Sequence, residues 1–224
     1  MPGITAANDD PIMDTGNSRN AEADRQCEMA RIKVRKKRYS EALDALEGVL
    51  KADPFHAEGL LLRARALEDM GQLTDARLSL EKVLSQYPQY SPAHREYGRF
   101  LLREGSPRSA ETELLRALTI NPQDAYAHAL LAEVYVCTGR KQQGLLHLEI
   151  ASRFRTEEIR YYEVCARVLT RLGDTSEKVR FLKQTVFSHA DNRAAKARFR
   201  RAIRAERRGK DRPAFRRYFR RVWS

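Results

Sequence analysis

Residues 53–89 read DPFHAEGLLLRARALEDMGQLTDARLSLEKVLSQYPQ. A proline turn, Asp53-Pro54-Phe55, opens the stretch and a second, Tyr87-Pro88-Gln89, closes it. A third, Asn121-Pro122-Gln123, follows at the same 34-residue step. Between the prolines, apolar residues recur at helical spacing on either side of Gly71. Glycine can take the left-handed conformation that ends a helix, and proline cannot continue one. The stretch therefore predicts two helices of roughly 14 residues joined by a short turn.

The same frame extends in both directions. Gly71, Gly105, Gly139 and Gly173 are 34 residues apart. Ala42, Ala76 and Ala110 share one column, which Gly144 continues. Leu46, Leu80, Leu114, Leu148 and Leu182 share another, and Ala30, Ala64, Gly98, Ala132 and Ala166 keep a third small. A small residue on one helix lets its partner approach closely, and the leucine fills the space between them.

This pattern resembles the tetratricopeptide repeat family, whose unit is a helix–turn–helix of 34 residues. The resemblance covers residues 23–192 as five units, 23–56, 57–90, 91–124, 125–158 and 159–192. It implies an all-α fold, a right-handed solenoid with a C-terminal capping helix and a basic tail. The family's tryptophan position holds Gln26, Leu60, His94, His128 and Tyr162. Lys37 stands where glycine is expected, Thr156 and Ala190 replace the closing proline, and Lys178 replaces the second-helix alanine. RNA-reading helical repeats of 35 residues are a competing pattern that the 34-residue step disfavours.

Residues 1–22, rich in Asn, Asp, Gly, Pro and Ser, read as a disordered leader. At the other end, residues 193–224 hold fourteen basic residues against Glu206 and Asp211. They account for the whole formal charge of +12 and leave residues 1–192 neutral. Ala195, Phe199, Ala202 and Ile203 form an apolar stripe suited to a capping helix. Beyond a break at 209–213 lies a second stripe of Phe215, Tyr218, Phe219, Val222 and Trp223, with Arg216, Arg217, Arg220 and Arg221 on the opposite arc.

No long apolar run and no secretory h-region is present, and three cysteines, Cys27, Cys137 and Cys165, make no disulfide framework. The expectation is a cytoplasmic protein, or one peripheral at a membrane. Five histidines lack zinc-ligand spacing, and no phosphate loop or nucleophile elbow is found, so no enzyme, cofactor, metal or small-molecule substrate is expected.

Two surfaces are candidates for binding. The resemblance implies a groove lined by the first helix of each unit. The expected contacts are Arg31, Arg65, Arg95, Arg99, Arg103, Arg167 and Arg171, with Tyr126 and Leu130 as apolar partners. Guanidinium groups suit an acidic or carboxylate-bearing peptide. The competing reading pairs Glu28 with Arg31, Glu96 with Arg99 and Glu163 with Arg167 along one helix. The family's chaperone-tail clamp would require Lys and Asn where this sequence has Cys27, Arg31 and Leu62, which argues against that ligand.

The second surface is the tail, through Arg200, Arg201, Arg204, Arg216, Arg217, Tyr218, Phe219, Arg220, Arg221 and Trp223. It suits an anionic membrane, nucleic acid or an acidic protein. The expected function is an adaptor that holds a partner peptide or helix in the groove, with the tail as a second contact. The alternatives are a factor tethered to membrane or nucleic acid through its tail, and a secretion-type client chaperone.

Overall fold

The computed structural model describes residues 15–173, 176–190 and 193–208. All eleven described elements are helices: α1 Thr15–Arg35, α2 Tyr39–Ala52, α3 Ala57–Asp69, α4 Leu73–Gln86, α5 Ser91–Arg103 and α6 Pro107–Ile120, then α7 Ala125–Cys137, α8 Lys141–Arg153, α9 Ile159–Leu172, α10 Glu177–Ser188 and α11 Arg193–Arg207. Among the described residues there is no strand. The first helix starts earlier than expected, inside the stretch read as a leader. Its side chains give the reason. Glu22 pairs with Arg25 at 3.2 Å and accepts from Gln26 at 2.9 Å, both at helical spacing. Residues 1–14 lie outside the described residues, as do Arg216, Arg217, Tyr218, Phe219, Arg220, Arg221 and Trp223 of the expected tail contact.

The turn inside each hairpin has one design. Gly71, Gly105, Gly139 and Gly173 all have φ between 81° and 85°. At the first three, the glycine N–H bonds back to Glu68, Leu102 or Val136. The next residue bonds to Leu67, Leu101 or Tyr135. This double closure is the Schellman motif. Lys37 makes the same bonds, to Val34, with Arg38 bonding to Lys33, at a φ of 62°. A lysine pays for that conformation where a glycine does not. Lys37→Gly is expected to stabilise the protein by roughly 0.5–1 kcal/mol, seen as a higher denaturant midpoint with unchanged slope.

The chain divides into two compact units, 1–76 and 77–224. In the first, Cys27, Ala30 and Val34 of α1, Ala42, Leu46 and Val49 of α2, and Leu62 and Ala66 of α3 form one buried cluster. In the second, Leu114, Leu148 and Leu182 are at most 2% exposed. Each such leucine contributes about 1.5–3 kcal/mol of apolar transfer. Gly98 and Gly144 are close-approach points. A Cβ on Gly98 would lie 2.7 Å from Leu114, and one on Gly144 would lie 2.5 Å from Val136.

Successive hairpins of the second unit are joined by a recurring side-chain bond. His94 Nε2 donates to the Pro88 carbonyl at 2.9 Å, and His128 Nε2 to the Pro122 carbonyl at 3.0 Å. Tyr162 Oη, at the corresponding repeat position, donates to the His189 carbonyl at 2.8 Å and lies 3.2 Å from the Thr156 carbonyl. At both histidines the donor sits six residues after its acceptor, at the start of the next hairpin.

Helix α11 packs on α9 and so takes the place of a capping helix. Ala195 and Phe199 are buried there, and the Phe199 ring lies 5.8 Å from that of Phe187 on α10.

Candidate functional site

The expected groove residues fall in both units. Arg31 on α1 and Arg65 on α3 belong to the first. Arg31 is exposed and bonds to Glu28 at 2.5 Å and also to Glu58 on α3. The second unit brings the others together on α5, α7 and α9, whose first-helix faces are neighbours.

Two clusters organise that surface. In the first, Arg95 of α5 bonds to Asp124 at 2.7 Å, and its guanidinium lies 5.4 Å from the Tyr126 ring centroid. Arg160 of α9 lies 5.7 Å from the same ring and bonds to Glu96 at 3.3 Å. Glu96 also accepts from Arg99 Nε at 2.9 Å. The phenol ring is thus held between two cations, an arrangement its quadrupole favours. Burial pushes the Arg95 pKa down, but Glu96 and Asp124 more than offset it and keep the group firmly charged. The Arg95 Nε–H is buried and has no hydrogen-bond acceptor among the described residues.

In the second cluster, Arg167 of α9 grips Glu133 of α7 with two bonds of 2.8 Å. Arg171 reaches the same carboxylate at 3.3 Å and Glu206 of α11 at 2.8 Å. The Cys137 thiol is 3.3 Å from Arg171.

These contacts revise several expectations. Tyr126 and Leu130 are only 2% and 1% exposed, so both are packing residues in this structure. The expected i,i+3 pairs of Arg31 and Arg99 form. Arg167 instead turns to Glu133, and Glu163 is taken by Arg198 of α11 at 2.7 Å. The bidentate cross-helix geometry outweighs an exposed i,i+4 pair worth a few tenths of a kcal/mol. Arg103 is exposed at the end of α5. Arg160 and Asp124 were not among the expected contacts. Glu133 stands at the 34-residue step of Arg31, Arg65, Arg99 and Arg167, and that single acid among arginines was the usable signal.

Repeats three and four differ at one buried contact. His94 Nδ1 meets a Glu113 oxygen at 2.7 Å, whereas His128 Nδ1 meets His147 Nδ1 at 3.1 Å. Because His128 Nε2–H is committed to a carbonyl, His147 must donate in the neutral pair. Burial lowers both pKa values; the Pro122 bond and Asp124 partly oppose this at His128, and His128 adds to it at His147. A folded pKa below the unfolded value means the unfolded chain takes the proton first. Stability from this pair is therefore full above about pH 6.5 and lost as pH falls below it. His147→Glu, which copies the third repeat, is expected to flatten the loss in thermal scans between pH 7 and 5.

Burial also raises the three thiols, to about 11 at Cys27 and about 12 at Cys137 and Cys165. They stay protonated and inert at neutral pH. No described helix is long and apolar enough to cross a membrane.

Two family models, each described as tetratricopeptide repeat, match residues 27–91 and 69–134. Among solved structures, TTC0263, a thermophilic TPR protein of Thermus thermophilus, superposes with a TM-score of 0.66 at 18% identity, covering 81% of this chain and 98% of that one. The Pseudomonas aeruginosa pilF protein gives 0.64 at 16% identity, covering 90% and 98%. PilW, described as a widely conserved type IV pilus biogenesis factor, gives 0.62 at 18%, covering 84% and 92%. At these identities the likeness is one of fold. No curated protein matches the chain.

Proposed function

Because the chain belongs to the tetratricopeptide repeat family, whose members serve as protein-interaction scaffolds, we propose that it is a non-enzymatic adaptor that binds a partner peptide or helix along the first-helix faces of its second unit. Stacked repeats present extended recognition surfaces whose ligand is set by side chains rather than by fold. The observation that carries the reading is Arg95, a charged guanidinium held against Tyr126 with one buried N–H lacking an acceptor. A carboxylate of a bound peptide would pair with this guanidinium in place of Asp124 or Glu96, which flank it now. The neighbouring acids make such binding an exchange of partners, which favours selectivity over raw affinity. The basic C-terminal region supplies a second contact.

The test places a photo-crosslinking residue at exposed Arg103 on α5 and, separately, at exposed Leu146 on α8. Partner adducts from position 103, absent from 146 and abolished by Arg95→Ala, are expected. Adducts from 146 alone would rule the first-helix face out.

A further inference from the structure

The positive charge of the second unit is distributed unevenly. On α5 and α9 the arginines Arg95, Arg99, Arg160, Arg167 and Arg171 each meet a carboxylate. On α11 the pattern reverses. Its two pairing residues, Arg198 and Glu206, point back to Glu163 and Arg171 of α9 and anchor the helix. Arg193, Arg200, Arg201, Arg204 and Arg208 are exposed and have no ion-pair partner among the described residues. Arg200 is steadied by the Phe187 ring, 4.9 Å from its guanidinium.

We propose that the outward face of α11 is a docking surface for the phosphate backbone of a nucleic acid. The proposal rests on the reading of the basic C-terminal region as a second contact; it is independent of the first-helix surface.

Placement and composition carry it. At 1.5 Å per residue the arginines run along about 22 Å of one helix face, and Arg200, Arg204 and Arg208 recur about once per turn. Guanidinium groups bind phosphate oxygens through paired N–H bonds. Of the apolar stripe, Ala195 and Phe199 are buried and Ala202 and Ile203 half-buried, and the fully exposed apolar residues beside the outward arginines are only Ala194 and Ala197. A membrane-surface helix needs an apolar face to insert, and a protein interface needs an apolar centre. Backbone recognition of nucleic acid needs neither, since neutralising phosphates and releasing counterions supplies the binding free energy.

The experiment uses the full chain and a labelled single-stranded oligonucleotide of about 20 residues, with anisotropy followed over a salt series. A variant carrying Arg193→Ala, Arg201→Ala, Arg204→Ala and Arg208→Ala is compared with the parent. Arg200 is kept because it stacks on Phe187. Circular dichroism checks that helix content is retained. The parent should bind with a steep log–log salt slope. The variant should lose at least about tenfold in affinity, with a slope shallower by about 0.7 for each phosphate contact removed.

A matched control removes four exposed cations of the first unit by Arg35→Ala, Lys36→Ala, Lys37→Ala and Arg38→Ala. It should bind nearly as the parent does. Equal losses in the two variants would reduce the effect to diffuse charge and overturn the assignment. So would parent-like binding by the α11 variant. Binding to phosphatidylserine vesicles without binding to the oligonucleotide would overturn it in favour of a membrane.

Discussion

Glu133→Ala is expected to destabilise the second unit by about 3 kcal/mol, the lower end of the range for breaking a buried charge pair. Glu133 is 6% exposed and answers two guanidiniums at once, Arg167 through two bonds and Arg171 through a third. Removing it leaves those cations desolvated without their shared counter-charge. The lower end applies because the Arg167 side chain keeps 26% exposure and water relieves part of the cost. For a chain of this size the drop corresponds to about 6–12 °C in thermal midpoint. The double replacement Glu133→Leu with Arg167→Met should recover most of the loss, because apolar groups of similar volume remove both charges together. If the single variant melts with the parent, the network is ornamental.

Acid should act through the same carboxylate. Burial pushes its pKa up, but Arg167 and Arg171 more than reverse that and hold it below the ordinary value. A depressed folded pKa contributes stability that is complete above the unfolded value, about 4.3, and lost as pH falls through the folded one.

Gly144→Ala is the second large effect. The added methyl would stand 2.5 Å from Val136 Cγ2 and 3.0 Å from the Ala132 carbonyl oxygen. Backbone cannot yield as a side-chain tip can, so α8 must move away from α7. Overpacking of this kind costs about 1–3 kcal/mol, set against at most about 1 kcal/mol gained in helix propensity. The net expectation is a loss of about 1 kcal/mol by denaturant titration. Gly48 of α2 supplies the contrast, since nothing lies within 4 Å of its added Cβ. Gly48→Ala should stabilise by up to about 1 kcal/mol through propensity alone. A loss in both variants would mean that glycine is needed for some reason other than space.

The hairpin repeat was legible because its determinants are local and periodic. A glycine with positive φ, a proline stop and a leucine at a fixed step each act within one hairpin. The arginines were legible as residues but not as pairs. Arg160 reaches Glu96 across 64 positions, a contact that exists only once α5, α7 and α9 are side by side. Spacing along one helix suggested Glu163 for Arg167, yet three-dimensional neighbours offered Glu133 a bidentate geometry that no single helix can provide. Tyr126 shows the opposite case: its repeat position suggested an apolar groove contact, and it lies buried between two guanidiniums.

The bond that joins successive hairpins has an evolutionary consequence. An imidazole at His94 and His128 donates to the carbonyl six residues earlier, and a phenol at Tyr162 donates to the His189 carbonyl while lying 3.2 Å from that of Thr156. Selection at that site can act on a donated proton and its reach, and the ring that carries it is free to change. A lineage can therefore exchange imidazole for phenol there and still keep a polar hydrogen aimed at a backbone carbonyl.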